Sequence, residues 1–260
     1  MNGDGWLRLA QVTKRFGAVT ALENVDATVR LGEVLALLGD NGAGKSTLVK
    51  IISGVYPASS GNLYVNGTLV RIEHPAQARA LGVATIFQEL ALVESLTVYE
   101  NIFLGREIVR RWIGLPILNK GAMRNRVEQL IAELGAHIPS PSARVAELSG
   151  GQRQAVAIAR ALDLETQLII MDEPTAALAV AETRKVLALI NQLRENGKAV
   201  LLVSHNLNDV MEIADRVLVL RRGRKVADCL RANTDIDEVV SWITGAKAGS
   251  VSTSQIKQES

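Results

Sequence analysis

Gly39-Asp40-Asn41-Gly42-Ala43-Gly44-Lys45-Ser46-Thr47 decides how the rest of the chain is read. The run fits G-x-x-x-x-G-K-[ST], a spacing in which backbone N–H groups surround phosphate oxygens. Upstream, Glu33-Val34-Leu35-Ala36-Leu37-Leu38 predicts a short buried strand, and downstream Leu48, Val49, Ile51 and Ile52 recur at helical spacing. A loop between a buried strand and a helix N-terminus is where phosphate binding needs it. Each glycine lets the backbone turn tightly or approach a phosphate with no Cβ in the way. Lys45 can reach the terminal phosphates, and the Ser46 hydroxyl can ligate magnesium. A plain Gly-rich turn before a surface lysine would not explain both flanks.

Working outward, 260 residues allow one large α/β domain or two small ones. Basic and acidic residues nearly balance, 29 against 27, which argues against a polyanion such as nucleic acid as partner. The single cysteine, Cys229, cannot close an internal disulfide and suits a reducing compartment. No secretory signal is expected from the first residues. No apolar run reaches the ~18 residues that a bilayer crossing needs. A transport role would therefore need membrane-spanning partners on separate chains.

Before the phosphate loop, residues 6–12 and 21–29 predict two strands that, with the strand feeding the loop, form an antiparallel edge. Phe16 falls in the polar turn between the first two, where it either stacks on a flat base or makes a satellite core contact. After the loop helix, Asn66-Gly67 signals a hairpin and Pro75 opens a short helix. Residues 82–87 predict another buried strand ending at Gln88-Glu89, polar groups that either face a ligand crevice or simply end a strand. From Thr97 to Pro141 the pattern is helical and amphipathic, broken at Trp112-Ile113-Gly114-Leu115-Pro116. We read it as a helical subdomain, about residues 96–160, inserted into the α/β core.

Leu148-Ser149-Gly150-Gly151-Gln152 then opens a helix and makes a second plausible anion site. Leu168 to Met171 is an unbroken apolar run, as a central parallel strand requires, and it ends in Asp172-Glu173-Pro174. Asp172 can bind magnesium beside Ser46, and Glu173 can orient or deprotonate a water; the alternative is an acidic turn. Residues 199–203 predict the next buried strand, ending at Ser204-His205. His205 is either structural or placed to hold a γ-phosphate or a water. Arg221-Arg222-Gly223-Arg224 reads as a solvated hairpin turn. A last helix spans about 236–243, and residues 244–260 are expected to be a flexible tail.

Taken in order, the phosphate loop, Gln88, the Leu148–Gln152 run, Asp172-Glu173 and His205 resemble the ATP-binding subunit of ATP-binding-cassette transporters. The resemblance covers residues 1–243. It implies a P-loop nucleotide hydrolase core of ABC ATPase type, with an antiparallel β edge and the inserted helices. It also implies ATP and Mg2+ as ligands. Phe16 corresponds to the aromatic on adenine; Gly39 through Thr47 hold phosphates; Ser46, Gln88 and Asp172 are the metal residues. Lys45, Gln88, Glu173 and His205 are the catalytic set. Ser149, Gly150, Gly151 and Gln152 cap ATP bound to a second copy of the chain, which makes a homodimer the working unit.

Phe87-Gln88-Glu89-Leu90 and residues 96–106 are similar to importers of monosaccharides such as ribose, xylose and fructose, in the single-cassette branch. That implies ATP hydrolysis driving import through two permease subunits, fed by a periplasmic or extracellular sugar-binding protein. The chain would sit peripherally on the cytoplasmic face of the inner membrane, without the regulatory C-terminal domain of maltose-type importers. An importer of amino acids, or a soluble clamp on nucleic acid or ribosomes, are the rival readings. One departure stands out: where the family usually reads Ser-Ala-Leu-Asp, this chain has Ala176-Ala177-Leu178-Ala179. It puts communication between the two sites in doubt, not hydrolysis.

Overall fold

The computed structural model describes residues 5–112, 115–163, 166–176 and 178–246. The chain opens with β1 (Leu7–Phe16), β2 (Val19–Val29), β3 (Val34–Leu38) and α1 (Lys45–Ile52). Next come β4 (Ser60–Val65), β5 (Thr68–Val70), α2 (Pro75–Ala80) and β6 (Val83–Ile86). The middle holds α3 (Val98–Phe103), β7 (Val109–Trp112), β8 (Leu115–Leu118), α4 (Lys120–Glu133) and α5 (Gly150–Leu162). It closes with β9 (Leu168–Asp172), α6 (Val180–Glu195), β10 (Ala199–Val203), α7 (Leu207–Ile213), β11 (Arg216–Arg221), β12 (Arg224–Leu230) and α8 (Ile236–Thr244).

A six-stranded sheet runs β12-β11-β3-β10-β9-β6, parallel from β11 to β6, with β12 antiparallel at one edge. Every residue of β3 and β10 is buried, as strands covered on both faces must be. Alternation then divides them between two interiors. Ala36, Leu38, Ile169, Met171, Val200 and Leu202 join a core built with α3 through α8. Leu35, Leu37, Leu168, Ile170, Leu201 and Val203 join a second core with α1, α2 and the other sheet. That other sheet is antiparallel, in the order β2-β1-β4-β5. Asn66 and Gly67 close its β4–β5 hairpin at φ 48° and 75°, the left-handed pair that a tight two-residue turn requires.

Arg216 is buried where β2, β3, β11 and β12 meet. It pairs with Glu33 at 2.7 Å and Asp228 at 2.6 Å, and donates to the Thr28 carbonyl. Burial works against its charge, but these carboxylates outweigh it and hold the guanidinium above its usual pKa.

Several local expectations change. The third early strand, β3, belongs to the parallel sheet, and the antiparallel sheet is completed by β4 and β5. Phe16 is the last residue of β1, paired with Val19, so the turn is only Gly17-Ala18. Where the sequence predicts a break, Trp112–Pro116, the flanking residues are paired instead, β7 antiparallel to β8, with Val109 opposite Leu118 and Trp112 opposite Leu115. Ile113 and Gly114 within it, Ala177, and the expected tail beyond Ala246 lie outside the described residues. Around the hairpin, α3, α4 and α5 share one apolar cluster with a face of the large sheet, through Ile102, Phe103, Met123, Val127 and Ile158.

Candidate nucleotide site

Parallel strands end on one edge, so β3, β6, β9 and β10 deliver their C-terminal residues to the same side of the sheet. Register keeps the ends level: Val203 is opposite both Leu37 and Asp172, and Ile86 is opposite Met171. The edge therefore gathers the Gly39–Thr47 loop, Gln88, Asp172-Glu173 and His205 from four separate stretches.

Two glycines of the loop are sterically required. A Cβ on Gly39 (φ 146°) would overlap the Leu220 carbonyl oxygen; one on Gly44 (φ 105°) would lie 2.6 Å from a Leu22 methyl. The neighbouring β11–β12 turn holds the loop by backbone bonds. Gly223 N–H donates to Ala43 at 3.0 Å, and Glu23 N–H donates to Gly223 at 2.8 Å. The turn read from sequence as a solvated hairpin is thus a support for the phosphate loop. Arg222 and Gly223 both take positive φ in that turn.

Lys45 Nζ donates to the Gly39 and Asp40 carbonyls at 2.6 and 3.0 Å, which places the ammonium over the loop. Ser46 and Thr47 occupy the first turn of α1, whose N–H groups are free of intrahelical partners. Asp40, Asn41 and Gly42 are exposed on the loop crest.

Burial pushes the Asp172 carboxyl above the usual aspartate range, and adjacent Glu173 adds to it; Lys45 and Lys50 offset this only in part. Glu173 takes a left-handed backbone (φ 52°), unusual for a residue with a side chain. Its N–H still donates to Val203 at 2.9 Å. That twist aims the carboxylate at His205, whose Nδ1 lies 2.8 Å from Glu173 Oε2. With Nδ1 turned to the carboxylate, the other ring nitrogen of His205 faces away from Glu173, and the side chain is largely exposed.

A cleft of about 100 Å³ joins Gln88, Gly150, Gln154, Asp172, Glu173 and Leu178. Ser149 caps α5, its hydroxyl accepting from Gln152 N–H while the Gln152 side chain accepts from Ser149 N–H at 2.9 Å. Gly150 packs closely under Leu178: a Cβ there would lie 2.6 Å from a Leu178 methyl, which would have to move aside. Gly151 is buried, and Gln152 also donates to the His137 carbonyl at 3.3 Å. Phe16 is 44% exposed and meets Tyr56 edge-on at 5.3 Å, with Lys14 Nζ 5.0 Å from its ring. Its open face suits a flat base; Tyr56 and Lys14 were not legible as its neighbours.

Among the described residues no three His, Cys, Asp or Glu side chains form a metal cluster. A magnesium ion held chiefly by substrate phosphates needs only one carboxylate and a hydroxyl, and Asp172 and Ser46 meet that requirement.

A doubly covered parallel sheet with this loop at its strand ends defines a P-loop nucleotide hydrolase of cassette type. A family model described as ABC transporter matches residues 22–176. The chain belongs to the ABC transporter family, as an ATPase cassette. It is 45% identical over 245 residues to a xylose/arabinose import ATP-binding protein of Sulfolobus acidocaldarius, covering 94% of this chain and 96% of that one. It is 41% identical to a fructose import ATP-binding protein of Rhizobium meliloti, covering 91% and 92%. A ribose import ATP-binding protein of Chromobacterium violaceum is 45% identical over 92% of this chain, which spans only 47% of that relative. Among solved structures, a nucleotide-free ATP-binding cassette of an ABC transporter superposes with TM-score 0.76 at 27% identity, covering 90% and 94%. An ADP-bound cassette gives 0.77 at 27% identity, covering 93% and 96%.

Proposed function

We propose that the chain hydrolyses ATP to energise import of a monosaccharide through a separate membrane permease. The observation that carries this is the match, near full length on both sides, to xylose/arabinose and fructose import ATP-binding proteins. The work of the side chains follows from their placement. Lys45 and the loop N–H groups neutralise β- and γ-phosphate charge. Glu173, oriented by His205, accepts the proton of the attacking water. Gln88 turns toward the γ-phosphate, and Phe16 stacks on adenine. Magnesium, held by Ser46, Asp172 and Gln88, supplies charge stabilisation of the phosphates when bound.

Two copies pair head to tail, each offering Ser149, Gly150, Gly151 and Gln152 to the ATP of the other. Residues 96–160 form the subdomain that docks the permease. A groove of about 540 Å³ lined by Val55, Arg79, Phe87, Leu104 and Arg160 favours that docking site. Among the described residues no helix is long and apolar enough to cross a membrane, which fits a peripheral place at the cytoplasmic face of the inner membrane. A sugar-binding receptor outside the membrane would deliver the cargo.

The test is cross-linking in membranes of cells that express the chain together with a candidate permease. Single cysteines at exposed Val93 and Leu104, in a Cys229→Ser background, should capture an integral membrane protein in nucleotide-dependent yield. Adducts found only with ribosomal or DNA-bound material would overturn the reading. Sugar-dependent stimulation of ATP turnover in the reconstituted complex then tests the cargo class.

A further inference from the structure

Gln154 sits in the second turn of α5, only 3% exposed. Its amide nitrogen Nε2 is buried and has no hydrogen-bond partner among the described residues. Two N–H donors withdrawn from water without an acceptor are costly, and native interiors seldom keep such a group idle. Its helical neighbours offer no side-chain acceptor: the positions one turn away are Gly150, Gly151, Ala157 and Ile158. The cleft that Gln154 lines does offer them, on Gln88, Asp172 and Glu173.

The same helix already grips the loop that follows Gln88. Arg160 donates to the Leu90 and Ala91 carbonyls, both at 2.9 Å. Arg106 in turn donates to the Arg160 carbonyl at 2.9 Å and pairs with Asp163 at 2.8 Å. The far end of the loop is therefore fixed to α5. The near end, exposed Gln88, shares the cleft with Gln154 without a hydrogen bond to it.

We propose that Gln154 is a positioning residue for ATP hydrolysis. Its Nε2 donates to the side-chain oxygen of Gln88 when Gln88 turns toward the nucleotide. The bond completes a second tie between α5 and the Gln88 loop, so the helix that begins at Ser149-Gly150 and the γ-phosphate side of the site move as one. This rests on the ATPase reading above. The orphan amide costs stability in the resting chain, and its bond forms in the hydrolysing state, so the two measurements respond in opposite senses.

Gln154→Met keeps the length of the side chain and removes its polar atoms. In the full chain without nucleotide the melting temperature should rise by about 2–4 °C. ATP turnover with magnesium should fall roughly tenfold, with KM for ATP within about twofold of wild type. In a double-mutant cycle, Gln88→Ala with Gln154→Met should turn over no more slowly than Gln88→Ala alone. A lower melting temperature together with lower turnover would mean a merely structural glutamine. A higher melting temperature with unchanged turnover would mean an idle one. Additive losses in the cycle would overturn the Gln88 pairing. If the methionine variant does not fold, Gln154→Leu carries the same comparisons. Wild-type chain that hydrolyses no ATP in this assay, alone or with its permease, would sink the functional reading itself, while the melting shift still reports on the orphan amide.

Discussion

Glu173 and His205 face each other across the ends of β9 and β10, Oε2 to Nδ1 at 2.8 Å, with Glu173 held in a left-handed backbone conformation. The contact leaves the carboxylate oriented before any substrate arrives. Glu173→Gln keeps the shape and loses the basic oxygen. Turnover should fall by ~10²-fold or more while ATP binding persists, and an ATP-bound dimer should accumulate on size exclusion. Hydrolysis within about twofold of wild type would remove Glu173 from its assigned role.

Lys45→Ala deletes the ammonium poised over the Gly39 and Asp40 carbonyls. Both ATP affinity and turnover should drop, and calorimetry reads the first directly. Phe16→Ala should cost less, ~0.5–2 kcal/mol of binding, because one face of a single ring is all it offers. Tight ATP binding by the lysine variant would contradict the phosphate-loop assignment.

Asp172 yields a prediction with a sign. Its pKa is higher in the folded chain than the ordinary value of 3.8, so the folded state holds the proton more tightly than the unfolded one. Stability conferred by that proton is present at low pH and is lost as pH rises through the window from 3.8 to the folded pKa. Near neutral pH the carboxylate is a burden on the magnesium-free chain. Asp172→Asn should raise the neutral-pH melting temperature and lose magnesium-dependent nucleotide binding. At a pH below the window the two melting curves should converge. An unchanged neutral-pH melting temperature would count against burial of this carboxylate.

Ala179 is the N-cap of α6, and no side chain caps that helix. Its extended backbone, φ −68° and ψ 153°, suits an aspartate whose carboxylate would accept from the first-turn N–H groups. Ala179→Asp should therefore stabilise the chain by ~0.5–2 kcal/mol, read by denaturant melts. If cooperativity between sites also rises, the alanine tunes coupling; a melt unchanged or shifted down would refute the capping argument.

The large sheet, and the placement of Gln88, Asp172, Glu173 and His205 at or just past its strand ends, were legible because β3, β9 and β10 are buried strands that read as unbroken apolar runs. Helix α5 announced itself through Ser149 and the glycines. The hairpin of β7 and β8 did not, since Val109, Leu115 and Leu118 are exposed and alternate with no consistent face. Partners drawn from distant sequence were also invisible: Tyr56 beside Phe16, Arg160 on the Leu90 carbonyl, Gly223 beneath Ala43. Gln154 carried no signal either, because an unpaired amide is defined by what surrounds it in space.

The backbone bonds between Gly223, Ala43 and Glu23 bear on how this protein is handled at the bench. The basic turn at Arg221 to Arg224 looks like an inviting place for an epitope tag or a fluorophore. Extra residues there would pull Gly223 away from the Ala43 carbonyl and from Gly44, and the damage would surface as lost ATP binding instead of misfolding. The β4–β5 tip at Asn66-Gly67, where a Cβ on Gly67 would meet nothing within 4 Å, is the safer insertion point.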